Sequence, residues 1–271
     1  LDGAVHASRR AVELVESMRS GIPAVMERTH FLQNRSNTYR ILAASLADQN
    51  PANLDEPFAV MERAHARTLR EVLSAAPPSR EDDRSRPLAE VRRHLRPGDL
   101  LVEFLLGEEE SSMLAVGRET ATFHTLPPRA SIEDRVEGDR RAILRPLANL
   151  DARLDAEADF RRFAASGYAL FRDLLGPVED RVKRARRLIV VADRKLHLLP
   201  FEALLQAPPT AGRPLDFLGR THAIAYLPAA SFLADERPSG KGRVVIVSAP
   251  GARPGLDLAP LRHAIEEVRY V

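Results

Sequence analysis

Arg186-Arg-Leu-Ile-Val-Val-Ala-Asp-Arg-Lys-Leu-His-Leu-Leu-Pro-Phe-Glu-Ala-Leu-Leu205 is the stretch whose reading decides the fold. The uninterrupted apolar run 188–192 predicts a buried strand, because a strand covered on both faces shows no alternation. Asp193-Arg194-Lys195 then predicts a tight turn into a second apolar strand ending at Pro200, and the helix-forming residues 201–205 follow. Working outward, His222 to Leu227 reads as another strand, and Pro228 to Ala234 as a short irregular segment. Arg243 to Val247 reads as a central, fully buried strand. A Ser248-Ala-Pro-Gly loop leads from it to a helix from about Ala259 carrying Leu261, Ala264, Ile265 and Val268 on one stripe.

Upstream, apolar residues at helical spacing predict three helices. The first spans Ala4 to Met18, with Val5, Val12, Val15 and Met18 inward. The second runs from about Ala24 to Ala47, with Val25, Leu32, Tyr39, Leu42 and Leu46 inward, and is ended by Asn50-Pro51. The third runs from about Glu56 to Ala76, with Phe58, Met61, Leu69, Val72 and Leu73 inward and Glu62, Arg63, Arg67 and Arg70 facing water. These pack as antiparallel hairpins. The proline- and charge-rich 77–87 predicts an exposed linker. A short helix at Leu88 to Leu95 and a turn at Pro97-Gly98 lead to strands at Leu100 to Leu106, Met113 to Val116 and Thr122 to Leu126, a small antiparallel meander. Helices at about Ile132 to Leu147 and Asp155 to Leu175 follow. The second carries Phe160, Phe163, Ala164, Phe171 and Leu174 on one face and is stopped by Gly176-Pro177.

The order of Leu-Leu-Pro-Phe-Glu-Ala-Leu at 198–204, Leu-Pro-Ala-Ala-Ser at 227–231, Val-Val-Ile-Val-Ser-Ala-Pro at 244–250 and Leu261, Ala264, Glu267 and Val268 resembles the CHAT domain, a bacterial family of caspase-like cysteine peptidases. Leu101-Val-Glu-Phe-Leu-Leu-Gly is similar to a strand that precedes that family's core. The resemblance implies an α/β fold in three parts: N-terminal helical hairpins, the small meander, and the first part of a caspase-like, mainly parallel sheet flanked by helices. The expected organisation is a helical region at 1–76, readable as the end of a tetratricopeptide-like array, a linker at 77–87, and a truncated CHAT-like domain at 88–271 with its core from about 160. Against the array stands the lack of any clear 34-residue self-similarity.

In such a peptidase a Cys thiolate attacks the peptide carbonyl and a His handles the proton. This chain has no Cys. No catalytic residue is therefore assigned within it, and the resemblance places the Cys and His beyond Val271. Ending in an amphipathic helix, the chain reads as the N-terminal portion of the enzyme, catalytically silent, with an open edge at its last strand. The competing reading is a non-enzymatic interaction scaffold. The partners expected are a protein or peptide substrate and a protein partner through the helical region 1–76.

Other chemistries fare worse. The 40 basic and 38 acidic residues nearly cancel, so nothing points to nucleic acid. Arg181, Lys183, Arg184, Arg186 and Arg187 read as a solvated face. No apolar run is long enough to span a bilayer, and the expectation is a cytoplasmic protein. The loop after Val247 lacks the glycine spacing that brings amides against a pyrophosphate, and its prolines lack donors, so no cofactor is assigned. The eight His residues, 6, 30, 65, 94, 124, 197, 222 and 263, show no metal-ligand spacing and read as surface or packing groups, as do Ser231 and Ser248.

Overall fold

Helices cover both faces of one sheet, because the alternating side chains of its strands bury two separate apolar sets. The computed structural model describes residues 2–22, 35–73, 86–148, 156–210 and 213–234. The helices are α1 (Asp2–Ser20), α2 (Ser36–Gln49), α3 (Asp55–Leu73), α4 (Leu88–His94), α5 (Arg129–Ala148), α6 (Ala156–Leu174) and α7 (Glu179–Arg184). The strands are β1 (Asp99–Leu105), β2 (Ser111–Val116), β3 (Ala121–Leu126), β4 (Arg187–Val191) and β5 (Ala223–Tyr226). They form one five-stranded sheet in the order β3-β2-β1-β4-β5.

β1, β2 and β3 pair antiparallel, while β4 pairs parallel with both β1 and β5. The sheet is thus mixed, which corrects the expectation of a mainly parallel one: the meander is not a separate piece but the other half of the same sheet. The register is set where the strands begin. Gly98, at φ +87, turns the chain so that its carbonyl accepts the backbone N–H groups of Arg186 and Arg187. Asp99 then receives Arg187 Nε at 2.9 Å, which fixes Asp99 opposite Arg187.

Strand alternation sorts the core into two halves. Leu101, Leu105, Leu114, Val116, Ile189 and Val191 pack under α1 to α4 with Val12, Tyr39, Leu42, Phe58 and Met61. Leu100, Val102, Phe104, Met113, Leu188 and Val190 pack on the other face with Ile132, Val136, Leu170, Phe171 and Leu174 of α5 and α6. Residue 103 belongs, by parity, to the first face. Asn53 Oδ1 accepts the Asp55 N–H at 3.0 Å, an N-terminal cap for α3, and Asp55 and Glu56 place negative charge in its first turn.

Several local expectations are corrected. After β4 the chain forms 3-10 turns at Arg194–Leu198 and Phe201–Ala203 in place of a second strand and a helix. Leu196 and Leu199 are buried while Leu198 is exposed, a spacing of three that suits a 3-10 turn and defeats strand alternation. Met18 and Phe160, expected inward, are 56% and 53% exposed. Glu62, expected to face water, is fully buried. Strand 243–247, the loop at Ser248, the helix from about 259, Val25 and Leu32 and most of the 77–87 segment lie outside the described residues. So do the side chains of Leu69, Val72 and Leu73. No described helix is long and apolar enough to cross a membrane.

Candidate functional site

At the carboxyl ends of the parallel neighbours β1 and β4, where β1 leads away to β2 and β4 to β5, charged side chains gather beneath α3. Open α/β sheets place their sites at such diverging strand ends. Glu103, towards the carboxyl end of the apolar β1, points into the face under α3 and is wholly buried. One turn apart on α3, Glu62 and His65 face it, as residues three apart on a helix must. His65 Nδ1 lies 2.9 Å from Glu103 Oε1. Its side chain is only 8% exposed.

Glu62 reaches in another direction. Its Oε1 accepts the Ala230 N–H at 2.6 Å and its Oε2 the Ser231 N–H at 3.1 Å. The Ser231 hydroxyl donates to the same carboxylate. These are the first amides of the 3-10 turn Ala230–Leu233, so Glu62 caps from a distant helix a turn that has no cap of its own. The third wall comes from the exit of β4. Asp193 Oδ2 accepts the Leu106 N–H at 2.8 Å, tying the ends of β1 and β4 together. Arg194, at φ +51, is held in a left-handed conformation unusual for a side-chain-bearing residue, and its guanidinium donates to Ser36 Oγ at 2.7 Å. That contact and the Glu108 N–H to Asn37 Oδ1 bond seat the start of α2 on the same strand ends.

The electrostatics follow from burial. Desolvation, reinforced by the charge of Glu103, raises the Glu62 carboxyl to about 7, against the opposing hydrogen bonds from Ser231 and the attraction of His65. Burial works against the protonated form of His65, but the hydrogen bond and charge of Glu103, helped by Asp193 and Glu62, outweigh it and raise the imidazole to about 9. His65 is therefore an imidazolium at neutral pH and cannot serve there as a general base. Its Nε2 and Glu103 Oε2 are buried and bond to no protein group among the described residues. His197 is pushed down, first by burial and also by His65, while Asp193 pulls it up.

The residues singled out in the sequence have plainer places. His222 is buried, with Nε2 2.8 Å from the Val182 carbonyl oxygen, a packing role. Ser231 is buried and meets Glu62. Arg181 donates to the Ala115 carbonyl and Thr122 Oγ1 and Arg187 pairs with Asp99, so two of the five basic residues at 181–187 tie elements together, while Lys183, Arg184 and Arg186 are exposed as expected. Glu62, His65 and Glu103 were missed as a group. The available signal was Glu103, a lone carboxylate in an apolar strand run. Among the described residues no group of three or more His, Cys, Asp or Glu could hold a metal ion.

Residues 164–271 match the family model of the CHAT domain. No curated protein matches the chain. The match corrects two expectations. It covers the C-terminal portion of the chain, not an N-terminal fragment, so the reading of these residues as the N-terminal portion of a CHAT-type enzyme does not stand. The cysteine peptidase reading fails on composition, since none of the 271 residues is Cys and that chemistry needs a thiolate. What the match shows is a CHAT-like region at 164–271 that carries no thiol. The buried cluster straddles the boundary of the match: Asp193, Ala230 and Ser231 lie inside it, and Glu62, His65 and Glu103 lie outside.

Proposed function

We propose that this chain works as a non-enzymatic interaction scaffold, in which a thiol-free CHAT-like region is joined to a helical layer that recruits a protein partner. The observation that carries this reading is the Glu62 carboxylate bound to the Ala230 and Ser231 amides. A side chain of the helical layer thereby holds backbone of the CHAT-matched segment, so an event on one is felt by the other. A cleft of about 510 Å³ between α1, α2 and α3 supports a recruiting role. Val12, Leu42, Leu46 and Val60 line its floor, and Arg9, Glu13, Glu16, Glu56 and Arg63 its rim. An apolar floor with a rim of both charges suits an amphipathic segment of a partner protein.

The test is site-specific photocrosslinking in cells of the source organism, with the crosslinker at Ala59 in the cleft or at Arg93 on α4. A discrete protein adduct from position 59 alone, lost on Arg63→Glu, is expected. Equal adducts from both positions, or peptide hydrolysis by the purified chain, would overturn the scaffold reading.

A further inference from the structure

α1 carries two rows of side chains at helical spacing, and the fold uses only one of them. Val5, Val12 and Val15, with Ser8 between them, are buried against the rest of the helical layer. One position before each of these lie Ala4, Ala7, Ala11 and Leu14, and Met18 continues that row one turn on. Each residue step turns the helix by about 100°, so the second row faces off to the side of the first. Its spacing alternates three and four, the pattern of a coiled-coil seam. Ala11 is half-buried and the other four are exposed, Leu14 by 51% and Met18 by 56%. The cleft is bounded by Arg9, Val12, Glu13 and Glu16 on another side of α1, so the row stands clear of it.

Size is ordered along the row, with three alanines followed by the two long side chains. Two copies of α1 packed antiparallel, with a twofold axis beside residues 12 and 13, turn that order into a fit. Met18 of each copy meets Ala7 of the other, and Leu14 meets Ala11. All four layers then join one large and one small side chain, so the axes can run at a constant separation of about 8 Å. Parallel pairing would set Leu14 and Met18 against themselves and alanine against alanine, crowding one end and leaving a gap at the other. Arg10, which flanks the row, is ion-paired with Glu13 at 3.2 Å and brings no unpaired charge to the contact.

We propose that the outer row of α1 is the seam of an antiparallel homodimer. Such a contact is self-complementary and closes, so assembly stops at two chains. One helix pair buries less than the roughly 1,200 Å² of a standard interface, and the dimer should therefore dissociate on dilution. It would carry two clefts and two CHAT-like regions, which gives a partner with two docking segments added avidity without any new contact. That consequence rests on the recruiting role of the cleft, whereas the dimer does not.

Sedimentation velocity of the full chain up to about 100 µM should show a monomer–dimer equilibrium and nothing larger. Leu14→Lys together with Met18→Lys changes side chains that face solvent in the single chain, and should raise the dissociation constant by about 100-fold or more. The absence of Cys lets the register be read separately. In a chain carrying Ala7→Cys and Met18→Cys, mild oxidation should give a covalent dimer whose peptide map joins position 7 of one copy to position 18 of the other. Within one helix the two positions are about 16 Å apart, beyond the reach of a disulfide. A chain that stays monomeric, a dimer indifferent to the lysine changes, or bonds joining like positions would overturn the proposal.

Discussion

His65 Nδ1 and Glu103 Oε1 stand 2.9 Å apart across the interface between α3 and β1, the one on a helix and the other at the centre of the sheet. Breaking a buried pair from one side strands the other charge in the interior. Glu103→Ala should therefore lower stability by about 3 kcal/mol in urea denaturation at pH 7. A loss below about 1 kcal/mol would mean that the pair is as weak as an exposed one.

His65 also sets a pH dependence. Its folded value lies above that of a free imidazole, so its contribution is fully present below about 6.5 and is lost as pH rises through about 9. Stability measured from pH 6.5 to 9 should fall, and the slope should flatten in Glu103→Gln, where the cause of the raised value is removed. An unchanged slope in that variant would assign the dependence to another group.

Asp139 carries a further buried carboxyl, 1% exposed on α5 and raised to about 6 by desolvation, against a hydrogen bond from Ser166. A carboxyl raised in the fold stabilises below its unfolded value near 3.8 and loses that contribution as pH rises through 6. Asp139→Asn should thus be close to neutral at pH 4 and more stable than the native chain by about 1 kcal/mol at pH 8. Thermal melts at the two pH values would show this crossover, and destabilisation at pH 8 would contradict it.

Gly107 follows β1 where Arg40 of α2 lies against the backbone. A Cβ there would collide with Arg40 Cδ and with the Glu110 carbonyl oxygen, and the latter is main chain that cannot swing away. Gly107→Ala should cost about 2 kcal/mol. Its effect should be smaller when Arg40→Ala accompanies it, a comparison that separates the side-chain clash from the backbone one.

Much of this fold is legible in the sequence because periodicity reports burial. The strands at 99–105, 111–116, 121–126 and 187–191 and the helices around Val12, Tyr39, Phe58 and Phe171 fall where apolar spacing puts them. What spacing cannot report is which strands become neighbours. β1 and β4 are separated by two long helices in sequence, so their parallel pairing, and with it the single mixed sheet, had no local signature. Glu62 was read as water-facing because a charged side chain on a helix usually is. Its burial comes from the distant 230–233 turn, which supplies two amides in place of water. Leu196 and Leu199 show the opposite case: their spacing of three was present, but a following proline and an apolar run looked like a strand.

The central claim is that the helical layer and the five-stranded sheet unfold as one unit because they share a core and the Glu62, His65 and Glu103 contacts. The chain lacks Cys, so single labels are simple to place. Ala7→Cys on α1 and Arg118→Cys in the β2–β3 hairpin, each carrying an environment-sensitive fluorophore, should report urea transitions with the same midpoint and slope. A helical reporter that melts at clearly lower urea, while the hairpin reporter stays native, would contradict the claim.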